Sequence, residues 1–167
     1  MKRLLIFAIS VLFASCSFEK TLDEMTNVTV WDHIEKTENK FNTFATAGYW
    51  IAENIEYKIP KPYVWKSPAQ TEQSMSGMCV DTSLLLLTYA IRDFGYSYQD
   101  SYLCGVKLPN GSKHMMVYID GYLIETQTFD FYNLSDFNII KTYHLEEALD
   151  VVYYQYGNRA SITDIWD

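Results

Sequence analysis

Between Gly77 and Gly95 the chain reads Gly-Met-Cys-Val-Asp-Thr-Ser-Leu-Leu-Leu-Leu-Thr-Tyr-Ala-Ile-Arg-Asp-Phe-Gly, a cysteine set at the mouth of an apolar run. Leu84, Leu87, Ile91 and Phe94 recur at helical spacing, and Leu85, Leu86, Tyr89 and Ala90 fill the other face. The predicted helix is therefore core on most of its sides. Gly77 permits a tight turn ahead of it, Asp81 puts an anion in its first turn, and Gly95 stops it. At a helix N-terminus, Cys79 meets unpaired N–H groups that favour the thiolate, which is the reactive form. A free cysteine is also common as inert packing. A nucleophile needs a base, and the rest of the chain has to supply it.

The chain has 167 residues, 49% of them hydrophobic, enough for one sizeable core. A formal charge of -8 excludes sequence-independent nucleic-acid binding, which needs Lys and Arg to replace phosphate counterions. Residues 1–16 combine a basic start (Met1-Lys2-Arg3), an apolar run from Leu4 to Phe13 and the small-residue close Ala14-Ser15-Cys16. This is the pattern of a cleaved signal peptide, and the apolar run is about half the ~20 residues a spanning helix needs. It resembles a bacterial lipoprotein signal, which implies a lipid on Cys16. The expected organisation is a signal peptide over 1–16, a tether over 17–28 and one domain over 29–167, held at the cell envelope by a lipid in a bacterial membrane.

Trp31, Ile34, Phe41, Phe44, Ala45, Tyr49, Ala52 and Ile55 recur at helical spacing and predict one long or two short helices. His33, beside Asp32, reads as a surface residue. Pro60, Pro62 and Pro68 mark Lys58 to Ser76 as an irregular loop carrying Trp65, Glu72 and Gln73. Gln73 and Trp65 are candidate donors to an oxyanion. Ser101 to Lys107 reads as a strand, and Pro109-Asn110-Gly111 as a tight turn. Lys113 to Ile119 and Tyr122 to Thr128 are two strands around Asp120-Gly121, a strong hairpin signal. With that turn, cross-strand partners sum to 241, so Met116 faces Glu125, and His114 and Glu125 become diagonal neighbours about 7–8 Å apart. A carboxylate beside an imidazole holds its tautomer and stabilises the imidazolium. Gln127 is the rival orienter.

Phe129 to Ile140 is irregular by pattern, and Leu145, Ala148, Leu149, Val152, Tyr153 and Tyr156 form a helical stripe. His144, at its start, reads as a cap or surface residue. The three histidines are not within ligand spacing of one another, so no metal site is expected. In an oxidising compartment Cys79 and Cys104 could pair, although Cys104 lies in an apolar strand where a buried thiol fits.

With Cys79, His114 and Glu125 in this order, the sequence resembles the bacterial transglutaminase-like superfamily, whose core is a papain-type cysteine, histidine and acid triad. The resemblance runs from Tyr49 to Thr128. It takes in Tyr49-Trp50-Ile51-Ala52-Glu53-Asn54-Ile55-Glu56-Tyr57, the Trp65-Lys66-Ser67-Pro68 loop, Gly-x-Cys-x-Asp, the Leu-rich helix and the hairpin with Glu125-Thr126. The family usually has Asp where Glu125 stands, an acid where Met78 stands and an aromatic where Met116 stands. The resemblance implies an α+β fold with a papain/transglutaminase-like core, in which N-terminal helices and a buried Cys-bearing helix pack on a small antiparallel sheet.

The activity it implies is thiol-dependent acyl transfer on peptide or amide bonds, with Cys79 as nucleophile, His114 as base and Glu125 as orienter. A cysteine peptidase or amidase is favoured over a cross-linking acyltransferase. No cofactor is expected, the partners being a peptide or protein substrate and the membrane through the lipid, and the chain is expected to be a monomer. The competing readings are an inactive peptide-binding lipoprotein with the same fold and a structural lipoprotein with a Cys79–Cys104 disulfide.

Overall fold

In the computed structural model, which describes residues 40–158, the cysteine-bearing run is a 16-residue helix with nearly everything around it. The described residues all fall in the unit Thr37–Asp167. The expected signal peptide, the Cys16 lipid site, the tether, and Trp31, His33 and Ile34 lie outside them. In chain order the elements are α1 (Phe44–Asn54), β1 (Glu56–Tyr57), α2 (Pro68–Ser74), β2 (Ser76–Gly77), α3 (Cys79–Phe94), β3 (Tyr102–Lys107), β4 (Lys113–Ile119), β5 (Tyr122–Glu125), β6 (Asp130–Asn133), β7 (Asn138–Tyr143) and α4 (Leu145–Asn158). β1 and β2 form a short parallel pair, and the other five strands form an antiparallel sheet in the order β6-β5-β4-β3-β7.

Every residue of α3 from Val80 to Ala90 is buried, as its apolar circumference dictates. It packs on β3 and β4 and is flanked by α1, α2 and α4. Its few polar groups find partners. The Ser83 hydroxyl donates to the Met115 carbonyl at 3.2 Å, and the Thr82 and Thr126 hydroxyls share a bond of 2.7 Å. Gly95 ends the helix in the left-handed region, φ 71°, where glycine carries no Cβ penalty.

The hairpin has the register that its turn dictates. Asp120 and Gly121 both have positive φ, 50° and 90°, which suits the right-handed twist of the flanking strands. The pairs Val117–Ile124, Tyr118–Leu123 and Ile119–Tyr122 follow.

Three expectations need correction. The segment Lys58 to Ser76 contains α2, started by a capping box in which Ser67 accepts from the Gln70 N–H and Gln70 accepts from the Ser67 N–H, with Pro68 at a position where a ring is tolerated. The strand expected over Tyr122 to Thr128 ends at Glu125 and turns through Thr126 to Phe129. Phe129 to Ile140, expected to be irregular, holds β6 and the start of β7. These edge strands are largely exposed, so they show no alternation to read.

α1 lies so close to the turn after β5 that Gly48 touches the Phe129 ring: a Cβ on Gly48 would sit 1.9 Å from it. Phe129 is buried among Phe44, Tyr49 and Phe131, with ring centroids 4.9 to 5.9 Å away. Gly48→Ala is expected to lower stability by about 1–3 kcal/mol, since the overpacked ring must leave its well. Urea unfolding of the two proteins checks this.

Candidate active site

Cys79 is the first residue of α3 and is partly exposed. The helix start is built around Asp81, which is fully buried. One carboxylate oxygen accepts from the Met78 N–H at 2.9 Å and the other from the Lys66 N–H at 2.8 Å. The Asp81 and Thr82 N–H groups both turn to the Met78 carbonyl, at 3.0 and 3.1 Å. The Cys79 and Val80 N–H groups stand at the open end of the helix, where intrahelical acceptors are lacking. Gly77 is required by space: a Cβ there would come within 2.8 Å of the Asp81 side chain. Lys66 closes the same corner, its ammonium donating to the Ser74 hydroxyl and to Ser76 at 2.8 to 3.1 Å.

His114 is the second residue of β4, and Glu125 is the last of β5. Both side chains are mostly covered, at 14% and 17% exposed, and His114 Nε2 is hydrogen-bonded to Glu125 Oε2. The other Glu125 oxygen accepts from the Gln127 N–H at 3.0 Å, so the carboxylate is fixed at both ends. With Nε2 engaged, Nδ1 is the nitrogen left for the cysteine. Burial by itself would lower the His114 pKa, but hydrogen bonds to Cys79 and Glu125 and the charges of both outweigh it and raise it to about 10. The group therefore adds stability that is complete below the unfolded value of about 6.5 and is lost as pH rises toward 10.

The structure thus brings Cys79, His114 and Glu125 together. Of the two oxyanion candidates, Trp65 is buried, edge-on to Tyr143 at 5.6 Å, and Gln73 is exposed on α2. Cys79 and Cys104 are both free thiols, so the disulfide weighed from the sequence is not formed. Cys104 is buried in β3, and burial pushes its pKa up to about 12, the behaviour of an inert thiol. His144 stands just ahead of α4, where its N–H donates to Glu147 at 2.8 Å. Among the described residues no three His, Cys, Asp or Glu side chains are grouped as metal ligands.

Sequence reasoning gave Tyr57 no role of its own, yet it stands at this site. The parallel pairing of β1 with β2 sets it opposite Gly77, two residues before Cys79. Burial raises its hydroxyl pKa first, and the Cys79 and Glu125 charges raise it further. No short-range pattern reports this neighbour, because 22 residues and a strand pairing separate the two.

Family profiles and curated proteins give no match to the sequence. Solved structures do. LapG of Legionella pneumophila aligns over 68% of this chain and 69% of its own with a TM-score of 0.52 at 14% identity. A candidate cysteine protease from Cytophaga hutchinsonii aligns over 77% of this chain and 44% of its own, with a TM-score of 0.47 at 21% identity. At this identity the likeness to LapG is one of fold alone: mixed helix and antiparallel sheet.

Burial raises the Asp81 pKa from 3.8 to about 6, against the opposing pull of the Lys66 and Met78 N–H groups. The folded protein therefore holds a proton that the unfolded chain releases between pH 4 and 6, and stability from this group falls as pH rises through that window. Asp81→Asn presents an NH2 group to a backbone donor and is expected to cost about 1–3 kcal/mol at pH 7 and to flatten this slope. Urea titrations of both proteins at pH 4.5 and 7 check both parts.

Proposed function

We propose that this chain is a cysteine peptidase or amidase that works through Cys79, His114 and Glu125. The observation that carries the reading is the hydrogen bond of His114 to a Glu125 carboxylate itself fixed by the Gln127 N–H, with Cys79 near enough to His114 to help raise its pKa. A nucleophile, a base and an orienter in this order are what acyl transfer requires. The likeness of fold to LapG and the sequence resemblance to the transglutaminase-like superfamily support the same class.

In this reading the Cys79 sulfur attacks the carbonyl carbon of a peptide or amide bond while its proton resides on His114. The new S–C bond gives a tetrahedral oxyanion, which the Cys79 N–H at the open helix end stabilises. As the C–N bond breaks, His114 gives the proton to the leaving amine. Water, deprotonated by His114, then attacks the thioester, releasing the carboxylate and returning the thiol. Each step uses protein groups and water alone. We further propose, from the sequence of residues 1–16, that the mature chain starts at a lipid-bearing Cys16 at the cell envelope.

The test is the alkylation of Cys79 by iodoacetamide at pH 6, followed by peptide mass mapping on protein starting after Cys16. The expected result is a rate at least tenfold lower in His114→Ala, because the imidazolium no longer stabilises the thiolate. Glu125→Gln should lie between the two. Equal rates in all three proteins would overturn the proposal and turn the search to binding of unmodified peptides.

A further inference from the structure

Two backbone bonds hold Tyr57 from either side: the Glu56 N–H donates to the Met75 carbonyl at 3.0 Å, and the Lys58 N–H donates to the Gly77 carbonyl at 2.9 Å. Tyr57 is thereby paired with Gly77, from which the chain runs through Met78 into Cys79. The residue is 47% exposed, so its ring is not part of the core. Its hydroxyl reaches the acid side of the site, where it accepts a hydrogen bond from the Gln127 side-chain amide. The Gln127 Nε2 atom is buried, and a buried donor that loses its acceptor costs free energy. The backbone N–H of the same residue donates to Glu125 Oε1 at 3.0 Å, while Glu125 Oε2 meets His114. Gln127 lies beyond the end of β5, in a turn where no ladder fixes it. Its two side-chain and backbone bonds therefore join the strand pair ahead of the nucleophile to the carboxylate behind the base.

We propose that Tyr57 is a positioning residue for Glu125: held by the strand pair that leads into Cys79, its hydroxyl fixes Gln127, and Gln127 fixes the carboxylate that faces His114. Without the hydroxyl the Gln127 amide loses its anchor, the turn loosens, and the carboxylate meets the imidazole in a less constant geometry. That this positioning serves acyl transfer rests on the reading of Cys79 given above; the brace itself does not.

Hydrogen exchange followed by NMR reads the brace, and titration of the His114 ring reads its effect. Tyr57→Phe keeps the ring and removes the acceptor. In it the Gln127 backbone N–H is expected to exchange at least about tenfold faster, with the amides of Leu84 to Leu87 in α3 unchanged. The His114 ring is expected to lose its proton about 0.5 pH unit or more below the native value, because a looser carboxylate holds the imidazolium less well. Cys79 of α3 and Glu125 of β5 are the charged groups that bear on that ring, and an ionised Tyr57 would bear on both of them. Gln127→Ala removes the link and leaves the Tyr57 hydroxyl in place, so it separates bracing from that charge. It is expected to give a like shift, to which Tyr57→Phe adds nothing in the double variant. Three results overturn the proposal: unchanged Gln127 exchange in Tyr57→Phe, a raised His114 titration that either variant leaves in place, or shifts that add in the double variant. A native ring that titrates as an isolated histidine does, with Gln127 exchange still faster in Tyr57→Phe, upholds the brace and overturns acyl transfer.

Discussion

The buried carboxylate of Asp81 holds the site in place. Its two oxygens take the N–H groups of Lys66 and Met78, residues from two loops that would otherwise enter the core with unpaired donors. One side chain thereby joins the loop before α2, the approach through β2 and the first turn of α3. The cost of burying this carboxyl appears as its raised pKa, and the gain is a helix start whose open N–H groups sit at a fixed place. Cys79 is reactive in this account because of where Asp81 puts it. The close approach of Gly77 to Asp81 is part of the same constraint.

The sheet supplies the other half. A two-residue turn at Asp120-Gly121 sets the register of β4 and β5, and that register decides whether His114 and Glu125 meet. After Ile124 the chain leaves the ladder with β4, and Glu125 pairs with Asp130 of β6. The turn from Thr126 to Phe129 then does three things: its Gln127 N–H fixes the carboxylate, its Thr126 hydroxyl ties to Thr82 on α3, and its Phe129 ring locks against Gly48 on α1. Glu125 is thus braced to α3 by a route that does not pass through the histidine. Such bracing is what the proposed acyl transfer would need of its groups.

What could be read from the sequence were the features with local physical causes. The apolar circumference of α3, its glycine stop and the hairpin turn are each set by residues within a few positions, and His114 and Glu125 follow from the turn by counting. α2 was also written locally, as Ser67-Pro68 with Gln70, but three prolines nearby masked the cap. β6 and β7 left no periodic trace because they lie at the sheet edges with most of their side chains in water. Tyr57 could not be read at all, since its place beside Cys79 comes from a two-residue parallel pairing across an intervening helix. Trp65 reads from the sequence as a loop residue, yet its ring packs in the core against Tyr143.

The central claim is that His114 is an imidazolium held between Cys79 and Glu125. The most direct measurement is the titration of the His114 ring by NMR, in the native protein and in Glu125→Gln. The account requires that the native ring stay protonated through pH 8 and lose its proton near pH 10, and that Glu125→Gln move this loss to lower pH. A native ring that titrates near pH 6.5, as an isolated histidine does, would contradict it.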